Sequence, residues 1–155
     1  MRKILIILLV ATLATSCGFK IVKETGPNNF DLGDITFKGN NRINYILNQN
    51  LSQIITNTNK QKMNLFIDSS KFKTIKEKNN KNEITKYLIT IRLDIKVFGS
   101  TEKYKMIKLS DALDYNVNSQ HSKTINDEKK TIKLITDKLS DRLLRELFLI
   151  NINDL

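Results

Sequence analysis

The chain has 155 residues, with 26 Lys and Arg against 16 Asp and Glu for a formal net charge of +10, and one cysteine, one histidine and one proline. A lone cysteine excludes an internal disulfide framework, and a lone histidine beside it argues against a zinc site. The positive balance asks for an acidic partner: nucleic acid in a cytoplasmic protein, anionic lipid or phosphorylated glycolipid in an exported one.

The N-terminus decides between these compartments. Met1-Arg2-Lys3 is followed by an apolar run from Ile4 to Ala14, interrupted only by Thr12, and then by Thr15-Ser16-Cys17. A basic start, a short greasy stretch and small residues at a cleavage point have the form of an export signal. The run is far shorter than the roughly 20 residues needed to span a bilayer. Leu13-Ala14-Thr15-Ser16-Cys17-Gly18 resembles the lipobox of bacterial lipoproteins, with Ala14 where that pattern prefers leucine. There the cysteine thiol takes a diacylglycerol and becomes the new N-terminus. The expected organisation is a signal peptide over 1–16, a lipidated start and tether over 17–29 containing Gly26-Pro27, and one folded domain over 30–155. Cleavage before Cys17 leaves 139 residues, enough for one domain with a real core. It also removes two of the 26 basic residues and no acidic ones, lowering the net charge to +8.

Phe30–Lys38 reads as a first strand with Leu32, Ile35 and Phe37 as apolar anchors. Gly39-Asn40-Asn41 is a turn in which either asparagine can cap the following helix. Ile43, Ile46, Leu47, Leu51, Ile54 and Ile55 then form one stripe on an amphipathic helix running to about Thr58. Met63, Leu65 and Ile67 alternate as a second strand, weakening through Phe72 and Ile75 into a polar hairpin tip over 76–83.

The clearest strand follows. Tyr87, Ile89, Ile91, Leu93, Ile95 and Val97 alternate with Thr90, Arg92, Asp94 and Lys96, giving one dry and one wet face. After a turn at Gly99-Ser100-Thr101, Tyr104 to Val117 supplies a fourth strand, with a phase change near Met106-Ile107 that predicts a bulge. A polar loop over 118–123 carries His121 and Lys123. Thr124 is the expected cap of a last helix, with Asp127 three positions on and Glu128 in its first turn. Ile132, Ile135, Leu139, Leu143, Leu147 and Ile150 form its stripe. The predicted fold is an α+β two-layer sandwich, β-α-β-β-β-α, with both helices on one face of a four-stranded mixed sheet.

Counting leaves a Ser-His-Asp arrangement open, since serines and aspartates accompany His121, but no catalytic motif supports it. No G-x-S-x-G elbow is present, the five glycines are scattered, and Asp111 and Asp114, three apart on a strand, point to opposite faces. The expectation is a binding protein, not an enzyme, with no cofactor beyond the covalent lipid on Cys17. Its basic residues gather at the hairpin tip (Lys76, Lys78, Lys81) and around the start of the last helix (Lys123, Lys129, Lys130). Lysines are suited to phosphate because a point charge needs little geometry.

The start Cys17-Gly18-Phe19, the helix from Arg42 to Thr58, the tract Tyr87-Leu88-Ile89-Thr90-Ile91, the triplet Asp114-Tyr115-Asn116 and the run Asp137 to Arg145 together resemble the lipopolysaccharide-assembly lipoproteins of the outer membrane, the LptE-like family. The resemblance covers essentially the whole mature chain and rests on element order more than on any motif. It implies a lipid-anchored protein on the periplasmic face of the outer membrane that plugs, stabilises and helps assemble an LptD-like β-barrel translocon and binds lipopolysaccharide. Export through Cys17 already argues against a nucleic-acid partner for the basic charge. Lys78, Lys81 and Lys123 are the nearest counterparts of the basic residues that such proteins use toward lipopolysaccharide. Gly18, standing where aspartate does not, fits outer-membrane sorting. The alternative is an envelope lipoprotein that binds a ligand or acts as an adaptor without a barrel.

Overall fold

The computed structural model describes residues 30–52, 61–99 and 103–150. The expected signal and tether, Cys17, Ile54, Ile55 and Thr58 lie outside the described residues. Six elements follow in order: β1 (Phe30–Gly39), α1 (Asn41–Ser52), β2 (Gln61–Lys78), β3 (Ile84–Phe98), β4 (Tyr104–Asn116) and α2 (His121–Phe148). The sheet order is β1-β2-β3-β4, with β1 parallel to β2 and the other pairs antiparallel. This is the expected α+β sandwich with a mixed sheet.

The alternation in β3 organises the core. Ile89, Ile91, Leu93, Ile95 and Val97 are buried on the helix side. Register places Leu65 beside Val97 and Ile67 beside Ile95 in β2, and Leu109 beside Leu93 and Ile107 beside Ile95 in β4. Over this row lie Ile43, Leu47 and Leu51 of α1 and Ile132, Ile135, Leu139, Leu143 and Leu147 of α2, all buried. Each such side chain contributes about 1.5–3 kcal/mol of transfer free energy. The two helices are joined by Asn50, whose Nδ2 donates to Asp137 Oδ1 and Ser140 Oγ, both at 3.0 Å.

The turn into α1 is tightly specified. Gly39 has φ +94°, and a Cβ there would collide with the Ser69 carbonyl of β2, so only glycine suits the position. Asn40 Oδ1 accepts the Ile43 N–H at 3.2 Å, the cap expected from the sequence. Buried Ser69 accepts the Asn40 N–H at 3.0 Å and meets Asn44 Oδ1 at 2.6 Å, tying the helix start to β2.

Four local expectations fail. β4 pairs with β3 without a register break from Tyr104 to Asn116, so no bulge exists at Met106-Ile107. The apolar residues change faces there: Tyr104 and Met106 sit on the helix-free side, and Ile107, Leu109 and Tyr115 on the core side. The irregularities lie elsewhere, in β1 between Leu32 and Ile35 and in β2 beyond Ile75. The last helix begins at His121, with Gln120 as an N-cap lacking a side-chain bond. Thr124 is therefore inside the helix, and its hydroxyl accepts the Asn118 N–H at 2.9 Å. Likewise His121 and Lys123 belong to the helix's first turn and not to a loop, and Glu128 lies beyond that turn.

Candidate functional site at the far pole

The strands give the sandwich two poles. At the near pole β1 and β2 begin, β3 ends and β4 begins. At the far pole β4 ends at Asn116, opposite Lys86, while β2 and β3 continue past it to the turn after Lys78. Because α2 starts just after β4 ends, its N-terminus also lies at the far pole. Topology thus brings to one end all three lysines that the sequence singles out: Lys78 and Lys81 on the hairpin, Lys123 on α2.

Asn79 builds the hairpin tip. Its Oδ1 accepts the N–H of Lys81 at 2.9 Å and of Glu83 at 3.0 Å, and its Nδ2 donates to Glu83 Oε2 at 2.7 Å. Asn82 takes the left-handed conformation at φ 64°, which asparagine tolerates better than most residues. Lys78 Nζ donates to Asn82 Oδ1 at 2.9 Å, so this ammonium is already turned toward the tip. Lys81 and Lys123 are exposed. The positive end of the α2 dipole adds to the same potential, and a diffuse basic pole of this kind attracts phosphate by charge more than by shape.

Lys76 is a different case. It is neutralised by Asp114 at 3.0 Å, an interaction that holds the Asp114 carboxyl below its usual range. Asp111, on the opposite face as expected, pairs with Lys138 at 2.8 Å, and that hydrogen bond lowers its pKa as well. The two carboxylates are separately engaged and do not form a dyad.

Behind the tip lies a cluster that the sequence reading missed. Glu128 of α2 receives Lys73 at 2.7 Å, Lys71 at 3.2 Å and the Tyr115 hydroxyl at 2.9 Å. Tyr115 stacks on Tyr87 with ring centroids 5.8 Å apart, and Lys73 Nζ lies 4.2 Å from the Tyr87 centroid. Burial raises the Glu128 pKa, but hydrogen bonds from Lys73, Tyr115 and Lys71 outweigh it and bring the carboxyl to about 2. Burial likewise lowers Lys73, and its bonds to Glu128 and Tyr115 more than reverse that. Tyr115 is raised by burial and by the adjacent Glu128 carboxylate. The cluster clamps the base of the hairpin to α2, so that the tip is carried on a fixed stem. The sequence does hold a signal for it. Glu128 stands four residues before Ile132, in line with the apolar stripe, and Lys71 and Lys73 continue the inward positions of Leu65, Ile67 and Ser69. Opposite charges on two core-facing lines point to a pairing.

No protein-family model and no curated protein sequence matches the chain. Solved structures do. Rare lipoprotein B from Shewanella oneidensis superposes with a TM-score of 0.55 at 10% identity, over 74% of this chain and 93% of that one. A minor lipoprotein from Acinetobacter baumannii gives 0.55 at 11% identity, over 74% and 90%. Lipoprotein B from Nitrosomonas europaea gives 0.52 at 14% identity, over 75% and 81%. At these identities the likeness is one of fold. The fold is one that small bacterial lipoproteins use.

Proposed function

We propose that this chain is an outer-membrane lipoprotein, anchored through a lipid on Cys17, that plugs and stabilises an LptD-like β-barrel translocon and binds lipopolysaccharide with the basic far pole. One observation carries the reading: the folded domain matches 81–93% of the solved chains of three bacterial lipoproteins, and the segment before it holds a lone cysteine in a lipobox setting. The geometry supports the role. The domain is long, stiffened by an 18-residue strand paired along its length. β1, the first strand after the proposed anchor, begins at the pole opposite the basic tip, which suits a plug reaching into a lumen from a membrane-held base. No enzymatic step is part of the reading.

Affinity purification of the lipidated protein in mild detergent should recover a large outer-membrane β-barrel in near-equal amount; a clean monomer sinks the plug role. Lysine substitution tests the ligand site separately. Lys81→Ala with Lys123→Ala should weaken capture of labelled lipopolysaccharide about tenfold, on the scale of 1–3 kcal/mol for lost charge-assisted contacts, with recovery of the barrel unchanged. Undiminished capture removes these lysines from the site.

A further inference from the structure

The face of the sheet that the helices leave uncovered is not uniform along its length. Toward the far pole it carries Phe72, 47% exposed and 5.1 Å from the Arg92 guanidinium, with Thr74, Thr90, Ala112 and the paired Lys76 and Asp114. Toward the near pole it gathers Phe66, Phe98, Tyr104 and Met106 on neighbouring strands, with Tyr104 51% and Met106 43% exposed. Phe98 and Tyr104 lie with ring centroids 5.7 Å apart. Lys96 holds its ammonium 4.9 Å from the Tyr104 ring, and Lys62 stands exposed on the same face. Beside them Asp34, Thr36, Asn64, Phe66, Lys96 and Phe98 line an open depression of about 400 Å³. The end of α2 reaches this pole too: Arg142 bonds the Ser110 carbonyl, and beyond it Phe148 and Leu149 are 44% and 78% exposed.

We propose that this near-pole patch, Phe66, Phe98, Tyr104 and Met106 with Lys62 and Lys96, seats the domain on the surface of a phospholipid bilayer. The inference rests on the lipid-anchored reading above and extends it from the anchor to the folded domain. Two observations choose a membrane as the occupant. β1 begins at this pole, and Phe30 comes 13 residues after Cys17, at most about 45 Å of chain, so an acyl anchor keeps this end near the bilayer. The composition also fits the headgroup boundary, where aromatic rings settle with one wet edge and lysine stems lie along apolar surface with their ammonium groups at anionic phosphates. The diacylglycerol on Cys17 supplies the attachment, and the patch sets how the tethered domain lies against the bilayer.

The chain has no tryptophan, so one introduced indole is a clean reporter. Tyr104→Trp and Phe72→Trp place it at the near pole and at mid-sheet on the same open face. Opposite them on β3 are Phe98 and Thr90, eight residues or roughly 26 Å apart. The processed, lipid-modified variants are reconstituted into phosphatidylethanolamine–phosphatidylglycerol vesicles with brominated acyl chains. Tyr104→Trp should lose about half its emission and Phe72→Trp little, because interfacial insertion reaches only about 5–10 Å. Replacing phosphatidylglycerol by phosphatidylcholine, or adding Lys62→Ala and Lys96→Ala, should reduce the quenching. Protein that floats with the vesicles but shows equal, weak quenching at both positions overturns the patch and leaves the anchor intact. Protein that does not float overturns the anchor and the patch with it. Emission at position 104 that shifts with protein concentration before lipid is added assigns the surface to a second copy of the chain and overturns the proposal.

Discussion

Protonating Glu128 would leave Lys71 and Lys73 side by side with no carboxylate between them. The group's pKa falls from 4.5 to about 2 on folding, so it contributes stability that is complete above about pH 4.5 and disappears as the pH falls through 2. The shift corresponds to about 3 kcal/mol. With the side chain 22% exposed, solvent screening brings the expected cost of Glu128→Gln near pH 7 to about 1–2 kcal/mol. Urea unfolding should show that deficit at pH 7 and a shrinking one between pH 4.5 and 2; a deficit constant over that range would make the carboxylate's charge irrelevant. A single-residue view of the sequence explains why this group escaped notice. Lys73 and Glu128 are 55 positions apart, and only the register of β2 against β3, and of β3 against β4, brings them together. Thr124 misled for a related reason. Its cap chemistry is real, but the Asn118 N–H claims it, and the helix starts three residues earlier, at His121, behind an N-cap Gln120 that makes no side-chain bond.

Elements were far more legible than contacts. β3 and the stripe of α2 could be placed from periodicity alone, because burial on one face imposes a repeat that local sequence must obey. β4 was harder: its apolar residues serve one face at Tyr104 and Met106 and the other from Ile107 on, and a pattern with two masters looks like an inserted residue. The turn between β1 and α1 was legible from Gly39-Asn40, and it carries the second stability prediction. Gly39→Ala forces φ +94° on an alanine and drives its Cβ into the Ser69 carbonyl. Thermal unfolding should show a loss of more than about 1–3 kcal/mol, beyond the usual cost of a strained backbone alone. A loss below 0.5 kcal/mol, the range of ordinary surface changes, would mean that β2 yields there.

At the scale of the molecule, the decisive signals lie outside the folded domain. Cys17 and the apolar run before it suggested export, whereas the domain by itself reads as a basic sandwich of unstated purpose. Cys17→Ala should leave the unfolding midpoint of the domain unchanged within about 1 kcal/mol while abolishing incorporation of labelled fatty acid. Persistent labelling would place the lipid on another residue. The lysines of the far pole were legible as a composition, but their meeting at one end was not, since it depends on β4 stopping short of the β2–β3 hairpin.

The parallel pairing of β1 with β2 has a mechanical consequence. If the bilayer holds the chain just before Phe30 and a partner grips the tip near Lys81, tension runs along the strand axes. The β1–β2 hydrogen bonds are then sheared together instead of peeled apart in turn. Joining the load-bearing strand to the strand that reaches the far pole makes the sheet itself the tie rod between membrane and tip.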